Sequence, residues 1–105
     1  MAEEHAVIVH LKLSDDGYGS EDERATTRAL EKRLAAAIER ASAGDLDGNE
    51  FGGGEAVLYA YGPHGGDLFT AMEPTLRGSG FRPAYAIVRY GIATDQDCRE
   101  DVIHL

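Results

Sequence analysis

In three segments of this chain, every second residue belongs to one set and the residues between them to another, and one of the two sets is apolar. The segments are AVIVHLKL at 6–13, EAVLYAYG at 55–62 and AYAIVRYGI at 84–92. Successive side chains of a β-strand point to opposite faces, so each segment is predicted to be a strand with one fully apolar face. The second strand is predicted over 55–61, because Gly62-Pro63 is expected to end it. The apolar face comprises Val7, Val9, Leu11, Leu58, Ala60, Ala86 and Val88. This pattern constrains the fold most, because it requires a sheet with one buried side.

Two helices are predicted between these strands. Ser20 and Glu23 have the spacing of a capping box, and the helix that follows is expected to run to Gly44. Leu30, Leu34, Ile38 and Ala41 form its predicted apolar stripe. The second helix is predicted over DLFTAMEPTLRG at 67–78, where Pro74 must kink or restart it because proline lacks the amide donor.

The acidic, glycine-rich stretch before the second strand is predicted to be a hairpin. Residues 45–51 form its first strand and 52–54 its turn. An EF-hand counted from Asp45 fails, because position 6 is Glu50 and position 12 is Ala56. A weak divalent site from Asp45, Asp47 and Glu50 stays open as an alternative, and no cofactor is expected.

The order of elements is strand, helix, strand, strand, helix, strand, with a closing strand at 101–105. This order resembles the ferredoxin-like fold, a βαββαβ antiparallel sheet with two helices on one face. The resemblance implies the strand order 4-1-3-2, with the extra C-terminal strand beside strand 4. We therefore expect a single α+β domain over 1–105, a common domain size.

Composition excludes some classes of partner. Nineteen acidic against ten basic residues give a net charge of −9, which opposes binding to nucleic acid and to anionic membranes. The lone Cys98 cannot form an internal disulfide, which favours a cytoplasmic protein. The alanine, glycine and arginine content is typical of a GC-rich bacterial genome.

No catalytic motif emerges. The four histidines lack metal-ligand spacing, and Cys98 has no evident histidine partner. GGGEA lacks the Lys-Ser/Thr of a phosphate loop. We therefore predict no catalytic residue and no metal ligand.

The sheet face opposite the helices is the candidate binding site. Alternation assigns it Ile8, His10, Lys12, Val57, Tyr59, Tyr61, Tyr85, Ile87 and Arg89. A half-apolar surface rich in tyrosine and arginine is typical of interfaces. It predicts a homodimer through the tyrosine face or a basic protein partner, with coverage by the chain itself and a small-ligand cleft as alternatives.

The predicted function is a small acidic interaction or regulatory module acting through this face, and an immunity- or inhibitor-type role fits its size and charge. The alternative is a ligand binder or enzyme that resembles the dimeric α+β barrels and uses His10, Tyr59, Tyr61 and Arg89. Single-stranded RNA binding ranks last, because the aromatic RNA-binding motif is missing and the face carries few basic residues.

Overall fold

The computed structural model describes residues 4–15, 17–81, 84–91 and 98–105. Its elements are β1 (His5–Lys12), α1 (Glu21–Arg40), β2 (Asp45–Gly52), β3 (Glu55–Gly62), α2 (Gly65–Arg77), β4 (Ala84–Arg89) and β5 (Glu100–His104). The strand predicted over 84–92 therefore ends at Arg89. The turn predicted at 93–97 lies outside the described residues.

The strands form one sheet in the order β2-β3-β1-β4-β5, and every neighbouring pair is antiparallel. Strand β1 lies at its centre, and β5 pairs with β4, as expected for the terminal strand. The α+β class, with a five-stranded antiparallel sheet and two helices, is confirmed.

The core lies between one face of the sheet and both helices. The strand residues assigned to that face by alternation are all buried, and they form one apolar cluster with helix residues such as Leu34 and Phe69. Each fully buried leucine or valine stabilises the fold by about 1.5–3 kcal/mol relative to exposure. The alternation of residues therefore predicted correctly which face of the sheet is buried.

The start of α1 confirms the predicted capping box. The Glu23 amide donates to Ser20 Oγ at 3.0 Å, and the Ser20 amide donates to Glu23 Oε1 at 2.9 Å. The carboxylate also accepts from the Ser14 amide and hydroxyl at 2.9 and 2.7 Å. These hydrogen bonds, led by that from the Ser20 amide, lower the pKa of Glu23 below its ordinary value.

The end of α1 differs from the prediction. The helix ends at Arg40, and Ser42 takes the left-handed conformation with φ 50°. The Ser42 and Ala43 amides donate to the carbonyls of Glu39 and Ile38 at 3.0 and 3.1 Å, which is the hydrogen-bond pattern of a Schellman motif. The predicted stop at Gly44 is therefore wrong, because Ser42 ends the helix two residues earlier.

Gly44 serves instead in a close crossing of two backbones. It has φ +148°, and a Cβ there would lie 2.0 Å from the Tyr61 carbonyl oxygen. A Cβ on Gly62 would lie 2.1 Å from the Ala43 carbonyl oxygen. Only a pair of glycines permits this approach at the end of the β2–β3 ladder.

Helix α2 also departs from the prediction at both ends. It begins at Gly65, whose amide donates to Nδ1 of the distant His5 at 2.8 Å, so a side chain from β1 satisfies the first turn. It continues past Pro74 to Arg77, so of the two predicted effects of Pro74, a kink or a restart, the restart is wrong. Pro74 lies near the helix end on the exposed side, where its missing donor leaves only a solvent-facing carbonyl.

The β2–β3 hairpin has a shorter turn than predicted. Gly52 pairs with Glu55, and only Gly53 and Gly54 form the turn, with φ of 60° and 82°. Positive φ at both central residues is the requirement of a type I′ turn. The register shifts between Leu46 and Gly48, which marks a bulge in β2.

The open sheet face as a candidate interaction surface

The open face is the side of the sheet opposite α1 and α2, defined by the nine residues of the sequence prediction. Eight of the nine are half-buried, and Lys12 is exposed. The residues that alternate with them on β1, β3 and β4 are buried beneath the helices. The structure therefore brings all nine predicted residues to one surface.

The strand register arranges this face in three rows that cross the sheet, each named by its β1 residue. The Ala6 row is Asp45, Tyr61, Ala6, Arg89 and Glu100. The Ile8 row is Gly48, Tyr59, Ile8, Ile87 and Val102. The His10 row is Glu50, Val57, His10, Tyr85 and His104. Lys12 lies beyond them, paired with Glu55.

The His10 row has a stacked imidazole ring at its centre. The imidazole of His10 stacks on Tyr85 with centroids 4.6 Å apart and planes at 7°. His10 Nδ1 lies 3.2 Å from Glu55 Oε1, and His104 is the other ring neighbour of Tyr85, at 6.3 Å. Because stacking and the carboxylate hold it from two sides, His10 has a fixed orientation.

The Ile8 row forms the apolar middle of the face. Ile8 and Ile87 lie side by side, and Val102, 58% exposed, extends the apolar row to the edge strand. Tyr59 donates to Glu50 Oε2 at 3.1 Å. Burial, together with this hydrogen bond to a carboxylate, raises the pKa of Tyr59 above its ordinary value.

The Ala6 row contains a notch. Ala6 is a small residue between two large neighbours, Tyr61 and Arg89, and the space above it is a cavity of about 250 Å³. The cavity is also lined by Glu4, Ile8, Tyr59 and Gly91. Arg89 Nη1 donates to Glu100 Oε2 at 3.1 Å, so the far wall is a paired guanidinium. The notch thus has an apolar floor and polar upper edges.

The four residues of the enzyme-type alternative are not all gathered in this notch. Tyr59, Tyr61 and Arg89 line it, while His10 lies two rows away from Arg89 and has its hydrogen bond with Glu55. General acid–base chemistry requires a proton donor and acceptor within hydrogen-bond reach of a common substrate. The notch therefore has the shape of a small binding pocket, but it does not contain an assembled acid–base pair.

Sequence reasoning missed several members of the face. They are Ala6, Asp45, Gly48, Glu50, Glu55, Glu100, Val102 and His104. The alternation of AVIVHLKL already places Ala6 beside Ile8, and that of EAVLYAYG places Glu55 beside Val57, so these two residues had a local signal. The others depend on pairing register, which no local pattern fixes.

Two larger concavities lie at the helix starts, and the first of them reaches the open face only at Lys12. One, about 430 Å³, is at the start of α1 beside Glu23, and the other, about 340 Å³, is at the start of α2 beside His5 and Tyr90. Their main polar groups are already hydrogen-bonded within the chain, Glu23 to Ser14 and Ser20, and Tyr90 to Asp101. We interpret both concavities as surface depressions around the helix ends.

Metal binding and membrane spanning find no support in the part of the chain that the structure describes. No three His, Cys, Asp or Glu side chains lie close enough together there to hold a metal ion. Asp45, Asp47 and Glu50 are exposed along the β2 edge, and Glu50 accepts from Tyr59. Neither described helix combines the length and apolar character needed to cross a bilayer.

Comparison of the chain with protein-family models, with curated proteins and with solved structures gives no significant match. The function therefore has to be argued from the open face itself.

Proposed function

We propose that the protein is a small acidic interaction module that associates with a second copy of itself through the open face. The observation that carries this proposal is the half-apolar, tyrosine-rich surface in three rows, with its exposed Val102, on the side of the sheet away from the helices. Tyrosine, arginine and aliphatic side chains at the centre, with charges at the rim, are the composition of an interface core and its rim.

The area of the face is sufficient for a modest dimer. Strands about 4.8 Å apart and rows about 6.8 Å apart give a patch of roughly 24 by 20 Å, or about 500 Å² per copy. Two copies would bury about 1,000 Å², the lower bound for a specific interface, so a dissociation constant in roughly the micromolar range is expected.

Three further properties belong to the same proposal. The order β5-β4-β1-β3-β2 supports a ferredoxin-like arrangement with an added strand beside β4. The single Cys98, half-buried and free, supports action in a reducing compartment such as a bacterial cytoplasm. The net charge of −9 supports fast encounter with a basic protein, so an immunity- or inhibitor-type regulatory role remains compatible.

Sedimentation equilibrium of the wild-type chain and two matched variants tests the proposal. Ile8→Glu places a charge at the centre of the open face, and Ala36→Glu places the same charge on the exposed side of α1. We expect concentration-dependent dimers between roughly 1 µM and a few hundred µM for wild type and Ala36→Glu, and monomers for Ile8→Glu.

A wild-type chain that stays monomeric over that range contradicts self-association. If it stays monomeric but binds a basic protein in a manner abolished by Ile8→Glu alone, the face is an interaction site for a different partner.

A second candidate function is the binding of a small apolar carboxylate in the notch, which the apolar floor and Arg89 favour. Its cavity of about 250 Å³ is below the usual 300–1,000 Å³ of ligand pockets, so only a small molecule would fit. Saturable benzoate-induced shifts of the Tyr61 ring resonances, lost in Arg89→Gln, would support it. Unchanged resonances at millimolar benzoate would exclude it.

A further inference from the structure

We infer that the two copies meet with their β1 strands antiparallel, so that the Ile8 row of one copy lies on the Ile8 row of the other. This inference rests on the proposed self-association and adds the relative orientation of the copies. It follows from the sizes of the side chains at matched positions in the Ala6 and His10 rows.

A two-fold axis can relate two stacked sheets in two simple ways. Strand β1 is the central strand, so either arrangement places β1 over β1 of the partner copy. An axis across the strands reverses the row order and places the Ala6 row over the partner copy's His10 row. An axis along β1 keeps the row order and exchanges the two sides of the sheet.

The central strand distinguishes these arrangements. Ala6 and His10 lie two residues on either side of Ile8, and they differ greatly in size. With the axis across the strands, the His10 ring of each copy enters the notch above Ala6 of the other. With the axis along β1, the two notches face each other and leave a void, while the two His10 rings collide.

The flanking strands do not decide between the arrangements. With the axis across the strands, Tyr61 lies over the smaller Val57 of the second copy, and Arg89 lies over Tyr85. With the axis along β1, Tyr61 lies over Arg89, and Val57 lies over Tyr85. Each arrangement pairs one large side chain with Val57 and opposes two large ones.

The rim charges do not decide between the arrangements. With the axis across the strands, Glu100 faces His104 and Asp45 faces Glu50. With the axis along β1, Glu50 faces His104 and Asp45 faces Glu100. Each arrangement makes one contact between a carboxylate and His104 and one between two carboxylates, so the choice depends on the centre of the face.

Cross-linking of single-cysteine variants tests the orientation. Stacked sheets lie about 10 Å apart, which exceeds the Cα separation of a disulfide, so a short bis-maleimide is the appropriate reagent. All variants carry Cys98→Ser. Ile8→Cys lies on the axis in both arrangements, whereas Val102→Cys meets its own counterpart only when the axis runs across the strands.

Cross-linked dimers from both cysteine variants are the expected result. With the axis along β1, the two Val102 positions are about 19 Å apart in the plane of the sheet, beyond the reach of the reagent. Cross-linking of Ile8→Cys without Val102→Cys would overturn the antiparallel orientation and leave self-association standing. Failure of both, with a monomer in sedimentation, would instead refute the proposed function.

A size exchange provides an independent test of the notch. Ala6→Leu fits within the cavity of the separate copy but excludes the partner copy's His10, so we expect the dissociation constant to rise about tenfold or more. Adding His10→Ala should recover most of that loss. Positions 6 and 10 of one strand are about 13 Å apart, so recovery can arise only between copies.

Additive losses in the double variant would refute the seating of His10 in the notch. Ala36→Leu, on the exposed side of α1, is the control and should leave the dissociation constant unchanged. Circular dichroism of each variant checks that the fold is retained, and the cross-linking test stands if Ala6→Leu does not fold.

Discussion

Gly62→Ala should be among the most destabilising single substitutions in this chain. The new Cβ would lie 2.1 Å from the Ala43 carbonyl oxygen and 3.3 Å from the Gly44 Cα. Carbon and carbonyl oxygen atoms approach to about 3.3 Å at closest, so the two backbones must separate by roughly 1 Å. Both sides of the contact are main chain, so no side chain can rotate to relieve it.

The cost can be worked out from the ladder that this separation opens. The pairing of Asp45 with Tyr61 lies directly beside the contact. Losing about two ladder hydrogen bonds, at about 1 kcal/mol each, and straining the chain between α1 and β2 gives a loss of about 3 kcal/mol. A typical domain has only about 5–15 kcal/mol of stability.

Urea unfolding followed by circular dichroism measures this effect, with Gly66→Ala as the matched control. Gly66 lies inside α2 with nothing within 4 Å of a Cβ, so alanine there should stabilise the chain by about 0.5–1 kcal/mol. A Gly62→Ala loss below about 1 kcal/mol would refute the close crossing of β3 with the start of β2.

Three further substitutions test other parts of the structure. Ser42→Gly should raise the unfolding free energy by about 1 kcal/mol, measured by urea unfolding, because glycine tolerates the left-handed conformation; no gain would contradict the Schellman motif. Glu23→Gln should lower the urea midpoint at neutral pH, and the gap to wild type should close as pH falls through the lowered pKa of Glu23, because protonation removes the same charged hydrogen bonds; a gap that does not narrow as the pH falls would contradict this. Tyr59 should ionise at higher pH than an ordinary tyrosine, and Glu50→Gln should lower the Tyr59 pKa, followed by NMR of isotope-labelled tyrosine; an unchanged midpoint would exclude the hydrogen bond between them. The stability that neutral Tyr59 contributes is present below the ordinary phenol range and is lost as pH rises through the raised pKa.

Sequence patterns predicted the local features of the fold because those features depend on neighbours in the chain. The alternation in 6–13 and 55–62 fixed which face is buried, and the spacing of Ser20 and Glu23 fixed the start of α1. Each of these patterns depends only on residues within one strand or at one helix start, so the sequence alone is sufficient to predict it.

The features that the sequence did not reveal depend on contacts between distant segments. Gly44 was predicted to end α1, but the helix ends at Arg40 with the left-handed residue at Ser42, and the glycine is required by the approach of β3. The start of α2 depends on His5, which is 60 residues away. Tertiary contacts override local propensity at both places.

The open face likewise combines features that local patterns predict with features that depend on contacts between distant segments. Alternation assigned all nine predicted residues of the open face. The notch, however, needs Tyr61 and Arg89 on both sides of Ala6, and this juxtaposition is a property of register across three strands. A shift of one residue would turn every side chain of a strand to the other face, so register had to come from the structure.

The central claim, that the open face is buried against a second copy, is tested most directly by hydroxyl-radical footprinting at increasing protein concentration. Tyr59, Tyr61 and Tyr85 lie on the face, while Tyr18, 67% exposed in the loop between β1 and α1, is an internal control. We predict that oxidation of the three face tyrosines falls as dimers form and that oxidation of Tyr18 does not change. If oxidation of the three face tyrosines is the same at low and high protein concentration, as it is for Tyr18, the open face is not buried against a second copy.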